Sequence, residues 1–208
     1  MHSAGFSIRK SSPGPAVLNS SEKLCLLNKK IFMTTDISHT KIIPYQESWK
    51  QKFEEEKNKL KEIFGDYVIS IEHIGSTSIP GLSSKPIIDI AVLINHIDDA
   101  ESFINDLKEI DYTHDTGGVS TERHFFRKYG KENFHLSICY KNQGGFWARQ
   151  VLFRDYLRNN PDMRDEYDKL KKSLLQQDPL GSDAYISGKT DFVYKVLRLA
   201  DWKEGQKS

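Results

Sequence analysis

The stretch from His73 to Ala91 reads HIGSTSIPGLSSKPIIDIA, and it joins two segments with the signatures of β-strands. Residues 67–74 (YVISIEHI) alternate apolar and polar side chains, which predicts a strand with one buried face. Residues 87–94 (IIDIAVLI) are almost all aliphatic, which predicts a strand buried on both faces. Residues 75–86 are predicted to form a loop that includes one helical turn. The stretch therefore predicts a strand–turn–strand unit with Asp89 inside its second strand.

The same stretch has the chemistry of a phosphate site. Glycine allows a phosphate to approach backbone N–H groups closely, and the Ser76 hydroxyl adds a donor next to Gly75. Lys85 supplies a positive charge. A carboxylate such as Asp89 is costly to bury without a partner, so we expect it to face a cleft, a cation or a metal ion such as Mg²⁺. The alternatives are a tight turn at Gly75 and Ser76, an ion pair at Asp89 and a solvent-facing Lys85.

The spacing excludes two common nucleotide-binding motifs. A P-loop has the form G-x-x-x-x-G-K-[ST], whereas Gly75 is followed by Gly81, Leu82 and Ser83. The stretch also lacks the G-x-G-x-x-G fingerprint of a dinucleotide-binding Rossmann site. Any phosphate site here must therefore be of another type.

The rest of the chain adds further segments with clear periodicity. Apolar side chains at helical spacing predict two amphipathic helices, β-type segments around a Gly-Lys turn predict a hairpin, and the C-terminal region is predicted to be helical. The segments are the helices 45–64 and 98–110, the hairpin strands 123–129 and 133–140, and the helical region 145–203. This order predicts an α+β fold: a small mixed sheet flanked by helices, with a helical C-terminal part, in one domain over residues 41–203.

Composition limits the partners of such a domain. The 208 residues include 38% hydrophobic and 28% charged side chains, and the net charge is +1. This balance argues against binding duplex DNA or an anionic membrane through bulk electrostatics, but it allows a local basic site for a phosphate compound. No apolar run approaches the length of about 20 residues that spans a bilayer. The two cysteines, Cys25 and Cys139, suggest neither a disulfide framework nor a zinc site, and Cys139 is expected to be a buried thiol.

The two ends of the chain differ from the rest. Residues 1–40 are rich in Ser, Gly and Pro and contain more basic than acidic residues, so we interpret them as a disordered extension. A weak organelle transit peptide and a start codon assigned upstream of Met33 are the alternatives. Residues 204–208 are interpreted as a short tail. A reducing compartment is the default for this cysteine usage, and we predict a cytoplasmic protein.

The predicted hairpin contributes candidates for the same site. His135 alternates with apolar neighbours in the second hairpin strand, which places it on one face of the sheet. If Asp89 shares that face, the two residues form a candidate catalytic cleft. Arg123, a third catalytic candidate, and Arg127, a phosphate-binding candidate, lie four residues apart on the other hairpin strand and share a face. They hold an acidic substrate there, or they pair with surface carboxylates.

The helical region and the residue before the turn add further candidates. Arg154 and Arg158 lie four residues apart on one face of a helix. They are predicted to bind phosphate, with neighbouring aspartates as alternative partners. Lys189 in the last helix is a secondary candidate. His73 either orients the turn through a hydrogen bond or is a satisfied structural histidine.

HIGSTSIPGLSSKPIIDI resembles the signature of the GrpB family, roughly HxGSTxxPGLxxKPxxDI. The resemblance continues through an opening at Ile43, Pro44 and Tyr45, a middle with RHFFRK and FHLSI, and a late FRDYLRNNP followed by Tyr167 and Lys171. It covers residues 41–200. The resemblance implies a nucleotidyltransferase-like fold, and the family is also found fused to dephospho-CoA kinase. It therefore implies a nucleotide or a CoA-type phosphate compound as the ligand.

One departure from the nucleotidyltransferase pattern concerns the metal. The superfamily carries Asp-x-Asp or Asp-x-Glu on the second strand, where it holds two Mg²⁺ ions, whereas this chain has Asp89-Ile90-Ala91. The third acid of the superfamily would fall in FHLSI, where His135 is the polar candidate. A single aspartate supplies too few oxygens to bridge two ions, which puts the usual two-metal mechanism in doubt.

Three hypotheses follow. In the first, the chain is a nucleotidyltransferase-like enzyme, or a relic of one, in which Gly75 and Ser76 hold a triphosphate, Asp89 holds Mg²⁺ and the arginines neutralise substrate charge. In the second, it is a non-catalytic module that binds a nucleotide or another phosphorylated metabolite. In the third, it is a structural partner protein with an unused cleft. The missing second carboxylate favours the second hypothesis over the first.

Overall fold

A mixed β-sheet with helices on both faces forms the described part of the chain, residues 41–118, 120–141, 145–177 and 183–203 of this computed structural model. The predicted extension over residues 1–40 and the tail over 204–208 lie outside the described residues, as does Cys25. The helices are α1 (Ser48–Phe64), α2 (Ile104–Glu109), α3 (Phe146–Asn159), α4 (Pro161–Gln177), α5 (Asp183–Gly188) and α6 (Thr190–Leu199). The strands are β1 (Ser70–Ile74), β2 (Ile88–Ile94), β3 (Thr113–His114), β4 (Arg123–Lys128) and β5 (Phe134–Tyr140).

The sheet has the order β1-β2-β5-β4-β3. Strands β2 and β5 run parallel, and the other neighbouring pairs run antiparallel. The predicted α+β class, mixed sheet and hairpin are therefore confirmed. Two details differ from the sequence prediction. The first strand begins at Ser70 because Gly65–Tyr67 forms a 3-10 turn, and β3 was not predicted because two residues are too short to show alternation.

The first helix packs on the sheet through the apolar stripe seen in the sequence. Trp49, Phe53, Leu60 and Phe64 recur at helical spacing and are all buried. The helix ends where Gly65 adopts φ +51°, a conformation that favours glycine. The prediction of a helix ending before Gly65 is confirmed.

The same face of the sheet carries the larger core. The second predicted helix, 98–110, is a 3-10 segment over Ile97–Phe103 that continues into α2. Phe103 and Leu107 from these two segments are buried beside Ile90 and Val92 of β2. This core shields one side of the strand, so residues at alternate positions of β2 point away from it.

The opposite face meets the C-terminal helices, and the candidate site lies here. Ala91, Leu93 and Cys139 form a small apolar cluster with Phe146 and Trp147 at the start of α3. Because side chains alternate along a strand, the side chain of residue 89 shares this face. The sequence prediction that the second strand is buried on both faces is therefore confirmed except at its N-terminal end.

The loop between β1 and β2 is anchored in the helical region by two aliphatic side chains. Ile79 and Leu82 are fully buried, and they pack against Leu157, Tyr167 and Phe192 from α3, α4 and α6. The loop is thus part of a second core.

Cys139 is buried, and burial raises the pKa of its thiol to about 12. This agrees with the expectation of an inert core cysteine. Within the described residues, no helix is both long and apolar enough to span a membrane.

Candidate functional site

Gly75 and Asp89 are packed directly against each other. Gly75 has φ +67° and ψ −174°, a region that residues with a side chain rarely occupy. A Cβ at this position would overlap the carboxylate of Asp89. Both the backbone conformation and the close approach therefore require glycine, and they place the Asp89 carboxylate beside the turn.

Asp89 also contacts the histidine that was predicted to share its face. The parallel register sets Asp89 of β2 opposite His135 of β5. The His135 Nδ1 atom lies 3.3 Å from Asp89 Oδ1, and its Nε2 atom lies 3.1 Å from the Tyr129 hydroxyl. The Asp89 side chain is 36% exposed, so this pair opens onto solvent. The predicted meeting of Asp89 and His135 at one cleft is what the structure shows.

Lysines surround this acid. A cavity of about 320 Å³ is lined by Ser76, Ser84, Lys85, Ile87, Asp89, His135, Lys171, Tyr185 and Lys189. The ammonium groups of Lys85 and Lys189 lie 4.9 and 4.2 Å from the centre of the Tyr185 ring, which brings both charges to one aromatic side chain. Of the described residues, three lysines and one carboxylate line this cavity, which we call the phosphate cavity.

Burial changes the protonation of two of these lysines. The Lys171 side chain is almost completely buried, and this burial lowers its pKa to about 7, while Asp168 opposes the shift. Burial together with the charge of Lys85 lowers the pKa of Lys189 to about 8, while Asp89 opposes the shift. Burial disfavours the charged form of both lysines, neighbouring cations add to this effect, and an anionic ligand would favour the charged form again.

A second cavity of about 410 Å³ adjoins the first and shares Ser76, Asp89 and Lys189 with it. Its remaining lining is largely apolar and aromatic: Phe153, Tyr167, Val193, Tyr194 and Leu197, with Gly75, Arg149, Gln150 and Thr190 at other points. Burial raises the pKa of Tyr167, and a hydrogen bond with Ser76 partly offsets this. We call it the aromatic cavity. Its lining suits a flat or apolar group better than a phosphate.

His73 is a structural residue. Its Nε2 atom lies 3.0 Å from the Thr77 hydroxyl, and its ring stacks on Phe53. Burial lowers its pKa to about 4, so the ring is neutral at physiological pH. The hydrogen bond joins the end of β1 to the turn, which combines the two roles considered from the sequence.

Arg123 and Arg127 share a sheet face as predicted, but neither is among the residues lining the two cavities. The Arg123 guanidinium lies 4.5 and 4.4 Å from the ring centres of Phe125 and Phe146, and it donates a hydrogen bond to the Ser137 hydroxyl. Burial lowers its pKa below the usual range. Arg127 pairs with Asp115 at 2.6 Å. Their catalytic and phosphate-binding roles remain predictions.

Arg154 and Arg158 lie at a different cavity. That cavity, of about 380 Å³, is lined by residues of α1, β1 and α3 together with Tyr45, Ser78 and Pro80, and it includes none of Asp89, Lys85, Lys171 and Lys189. The structure therefore places these arginines at a cavity other than the one that Asp89 and the three lysines line, and their phosphate-binding role stays a prediction. Sequence spacing showed that they share a helix face, but it did not show which side of the turn that face contacts.

Four residues that line the phosphate cavity were not proposed as site residues from the sequence: Ser84, Ile87, Lys171 and Tyr185. Lys171 and Tyr185 come from α4 and α5, far from the motif that begins at His73. A signal for Lys171 existed: it lies four residues after the buried Tyr167, at a position where an amphipathic helix normally has an apolar side chain. Tyr185 had no comparable signal.

The metal prediction can be compared with the donors present. In the described ranges, no group of three or more His, Cys, Asp or Glu side chains could hold a metal ion. Among the residues that the structure describes, Asp89 is the only carboxylate lining either cavity. Mg²⁺ prefers oxygen ligands and binds commonly through one or two carboxylates together with ligand phosphates. The site thus fits one Mg²⁺ held jointly by Asp89 and a phosphate, and it does not fit two bridged ions.

Comparison with known proteins decides the family. Residues 39–199 match the family model of GrpB protein. The chain belongs to the GrpB family. It is 39% identical over 166 residues to UPF0157 protein YqkA of Bacillus subtilis, covering 79% of this chain but only 48% of that protein, so it spans about half of its length. The crystal structure of conserved protein GrpB from Enterococcus faecalis is similar, with a TM-score of 0.70 and 34% identity over 77% of this chain and 96% of that one.

More distant similarities involve proteins named for nucleotide chemistry. A dephospho-CoA kinase from Mycolicibacterium paratuberculosis is 25% identical over 190 residues, which cover 79% of this chain and 47% of that protein. Terminal uridylyl transferase 4 from Trypanosoma brucei with bound dUTP aligns with a TM-score of 0.49 and 14% identity, over 77% of this chain and 56% of that one. Similarity at this level assigns no ligand to this chain.

The segments that carry the GrpB resemblance meet at one place in the structure. The signature stretch supplies Ser76 and Asp89, FHLSI supplies His135, and the residues after FRDYLRNNP supply Tyr167 and Lys171. These segments are separated in sequence by up to about 95 positions, the difference between 76 and 171. The shared motifs of the family therefore surround the two adjoining cavities.

Proposed function

We propose that this GrpB protein binds the phosphate groups of a nucleotide or a CoA-type compound in the phosphate cavity. The observation that supports this most directly is the charge of the cavity: Lys85, Lys171 and Lys189 lie around a single carboxylate, Asp89. Lysine ammonium groups form strong charge-assisted hydrogen bonds with phosphate, and screening by salt is weaker in a partly buried site. Basic and acidic residues are nearly equal in number in this chain, with a net charge of +1, so an excess of lysines at one cavity is a local feature of the fold.

The adjoining cavity indicates what else the ligand contains. The aromatic cavity shares Ser76, Asp89 and Lys189 with the phosphate cavity, so one ligand can extend from one to the other. Phe153 and Tyr194 offer aromatic surface there. Nucleotides and CoA-type compounds combine phosphates with a flat base, which matches a cationic cavity next to an aromatic one.

Mg²⁺-dependent nucleotidyl transfer is the second candidate function. The packing of Asp89 against Gly75 favours this second function, because a carboxylate fixed beside a phosphate site can hold one Mg²⁺ together with the ligand. The ion would offset phosphate charge, while the lysines orient the phosphates. The absence of a second carboxylate at Ala91 favours binding without transfer, and a purely structural role for the domain is the remaining alternative.

Titration calorimetry with ATP, GTP, CTP and dephospho-CoA, with and without Mg²⁺, tests the proposal. We expect Lys189→Met to weaken binding of the best ligand at least about tenfold, since a charge-assisted hydrogen bond is lost. The matched control is Lys169→Met, an exposed lysine of α4 that lines neither cavity. If none of the four ligands binds, or if both variants weaken binding equally, the proposal is wrong.

The variant Asp89→Asn distinguishes binding that depends on Mg²⁺ from binding by the lysines alone. In metal-free buffer the variant should bind more tightly than the wild type, because a negative charge is removed from beside the phosphates. Added Mg²⁺ should strengthen binding to the wild type only. With Mg²⁺, release of pyrophosphate accompanied by the nucleoside monophosphate joined to an added hydroxyl acceptor would demonstrate transfer, release with free monophosphate would demonstrate hydrolysis, and binding without release would identify a non-catalytic module.

A further inference from the structure

Two arginines of helix α3 donate hydrogen bonds to the backbone on either side of the Gly75 turn. Arg154 Nη1 donates to the carbonyl oxygen of His73 at 3.0 Å. Arg158 donates to the carbonyl oxygen of Ser78 through both Nε and Nη2, at 3.0 and 2.8 Å. One helix thus holds the entry and the exit of the turn, and its arginines are one helical turn apart.

Carboxylates complete the surroundings of these arginines. The buried Arg154 also pairs with Glu72 at 2.6 Å and with Asp155 at 2.7 Å, and Asp155 reaches Arg158 at 3.5 Å. A buried guanidinium that already has these partners has few donors left for an added phosphate. The contacts of Arg154 are therefore those of a residue that holds the protein backbone in place.

Helix α4 repeats the pattern further along the same loop. Arg164 Nη1 donates to the carbonyl oxygen of Pro80 at 3.3 Å, and its guanidinium lies against Gly81, which has φ +81°. Lys171 donates to the carbonyl oxygen of Ser83, whose N–H group donates to Asp168 at 3.0 Å. The loop between β1 and β2 is therefore held at several carbonyls by charged side chains of the C-terminal helices.

We propose that Arg154 and Arg158 are positioning residues that hold the Gly75–Ser76 turn in its ligand-binding conformation. A turn with a glycine in a sparsely populated backbone region persists only when its surroundings over-determine it. Hydrogen bonds from charged donors to carbonyls are among the strongest available to a loop. Neither arginine lines the phosphate cavity, so they act through the turn and do not contact the ligand.

This role differs in a measurable way from the phosphate contact predicted from the sequence. A side chain that contacts phosphate contributes its charge to the salt dependence of binding, whereas a positioning residue outside the cavity leaves that dependence unchanged. A positioning residue also controls the local opening of the turn, which backbone hydrogen exchange reports. The binding readout rests on the proposed function, and the exchange readout does not.

The test compares Arg158→Gln with Arg158→Lys and with a matched control, Arg198→Gln, an exposed arginine near the end of α6. For Arg158→Gln we expect backbone amides of residues 75–84 to exchange about tenfold faster, with exchange in α1 and the central strands unchanged. ATP binding should weaken at least about threefold, with an unaltered salt dependence. Arg158→Lys should recover part of both losses, and the control should show neither.

Several results would overturn the proposal. Unchanged exchange at residues 75–84 would show that the turn holds without Arg158. Faster exchange throughout the domain would indicate general destabilisation, and a shallower salt dependence would indicate direct contact with phosphate. If the wild type binds no nucleotide, the proposed function fails while the exchange result still decides this inference. If Arg158→Gln does not fold, Arg158→Lys carries the same comparison, because it keeps the charge and changes only the hydrogen-bond geometry.

Discussion

Replacing Gly75 by alanine introduces two separate costs. The backbone at φ +67° and ψ −174° is nearly restricted to glycine, and a residue with a Cβ costs about 1–3 kcal/mol there. The added Cβ also overlaps the Asp89 carboxylate, and forcing such an atom into a packed site costs about 1–3 kcal/mol more. We therefore expect a destabilisation of roughly 4 kcal/mol, the middle of the summed range.

Gly65 provides the matched control for this substitution. It has φ +51° and ψ −131°, and a Cβ built on it meets no atom within 4 Å. Gly65→Ala should therefore carry only the backbone cost of about 1–3 kcal/mol. The difference between the two variants isolates the contact with Asp89.

Urea and thermal unfolding measure both variants. For a domain of this size each kcal/mol lowers Tm by roughly 2–4 °C, so Gly75→Ala should lose roughly 8–16 °C and Gly65→Ala about half as much. Adding Asp89→Ala to Gly75→Ala should restore about 1–2 kcal/mol, because two of the overlapping atoms are removed. Equal losses at the two glycines, or strict additivity in the double variant, would show that the contact with Asp89 costs nothing.

Two further predictions concern pH. Affinity for ATP should fall as pH rises from 7 to 9, because binding requires protonated lysines and burial lowers the pKa values of Lys171 and Lys189 to about 7 and 8; calorimetry across this range would contradict the reasoning if affinity were constant. Glu56→Gln should cost about 3 kcal/mol at pH 7, since Glu56 is 1% exposed and accepts hydrogen bonds from Lys59 and Lys128. Burial raises the pKa of Glu56, but these bonds outweigh it and the net shift is downward, so this stability is present above pH 4.5 and is lost as pH falls through the lower folded value. Denaturation of variant and wild type at pH 7 and pH 3 checks this, and a gap that is the same at both values would refute it.

The main elements of the fold could be predicted because burial leaves a periodic trace in the sequence. Trp49, Phe53 and Leu60 marked α1, and the aliphatic run of β2 marked a strand covered on both sides. The secondary-structure prediction failed where the periodic pattern is short or fits more than one type of element. The two-residue β3 is too brief to alternate, and the 3-10 segment Ile97–Phe103 buries its apolar residues at spacings that also fit an α-helix.

The candidate site could be predicted only in part. Alternation along β2 and β5 placed Asp89 and His135 on one face, and the parallel register then set them opposite each other. Lys171 and Tyr185 remained outside the prediction because their positions relative to Asp89 depend on how α4 and α5 return to the sheet. The cavity that Arg154 lines likewise depends on how α3 packs, which the sequence pattern did not show.

The sequence alone determined which local structures form and which residues have phosphate chemistry, since periodicity, glycine positions and charge are local properties of the chain. It also showed the glycine at position 75 and the missing acid at Ala91. Only the tertiary structure decided that Gly75 packs against Asp89, that Lys171 and Lys189 join Lys85, and that the α3 arginines bond to the backbone on either side of the turn. These are contacts between segments far apart in the chain, and helix packing, which a sequence pattern does not encode directly, sets which charges become neighbours.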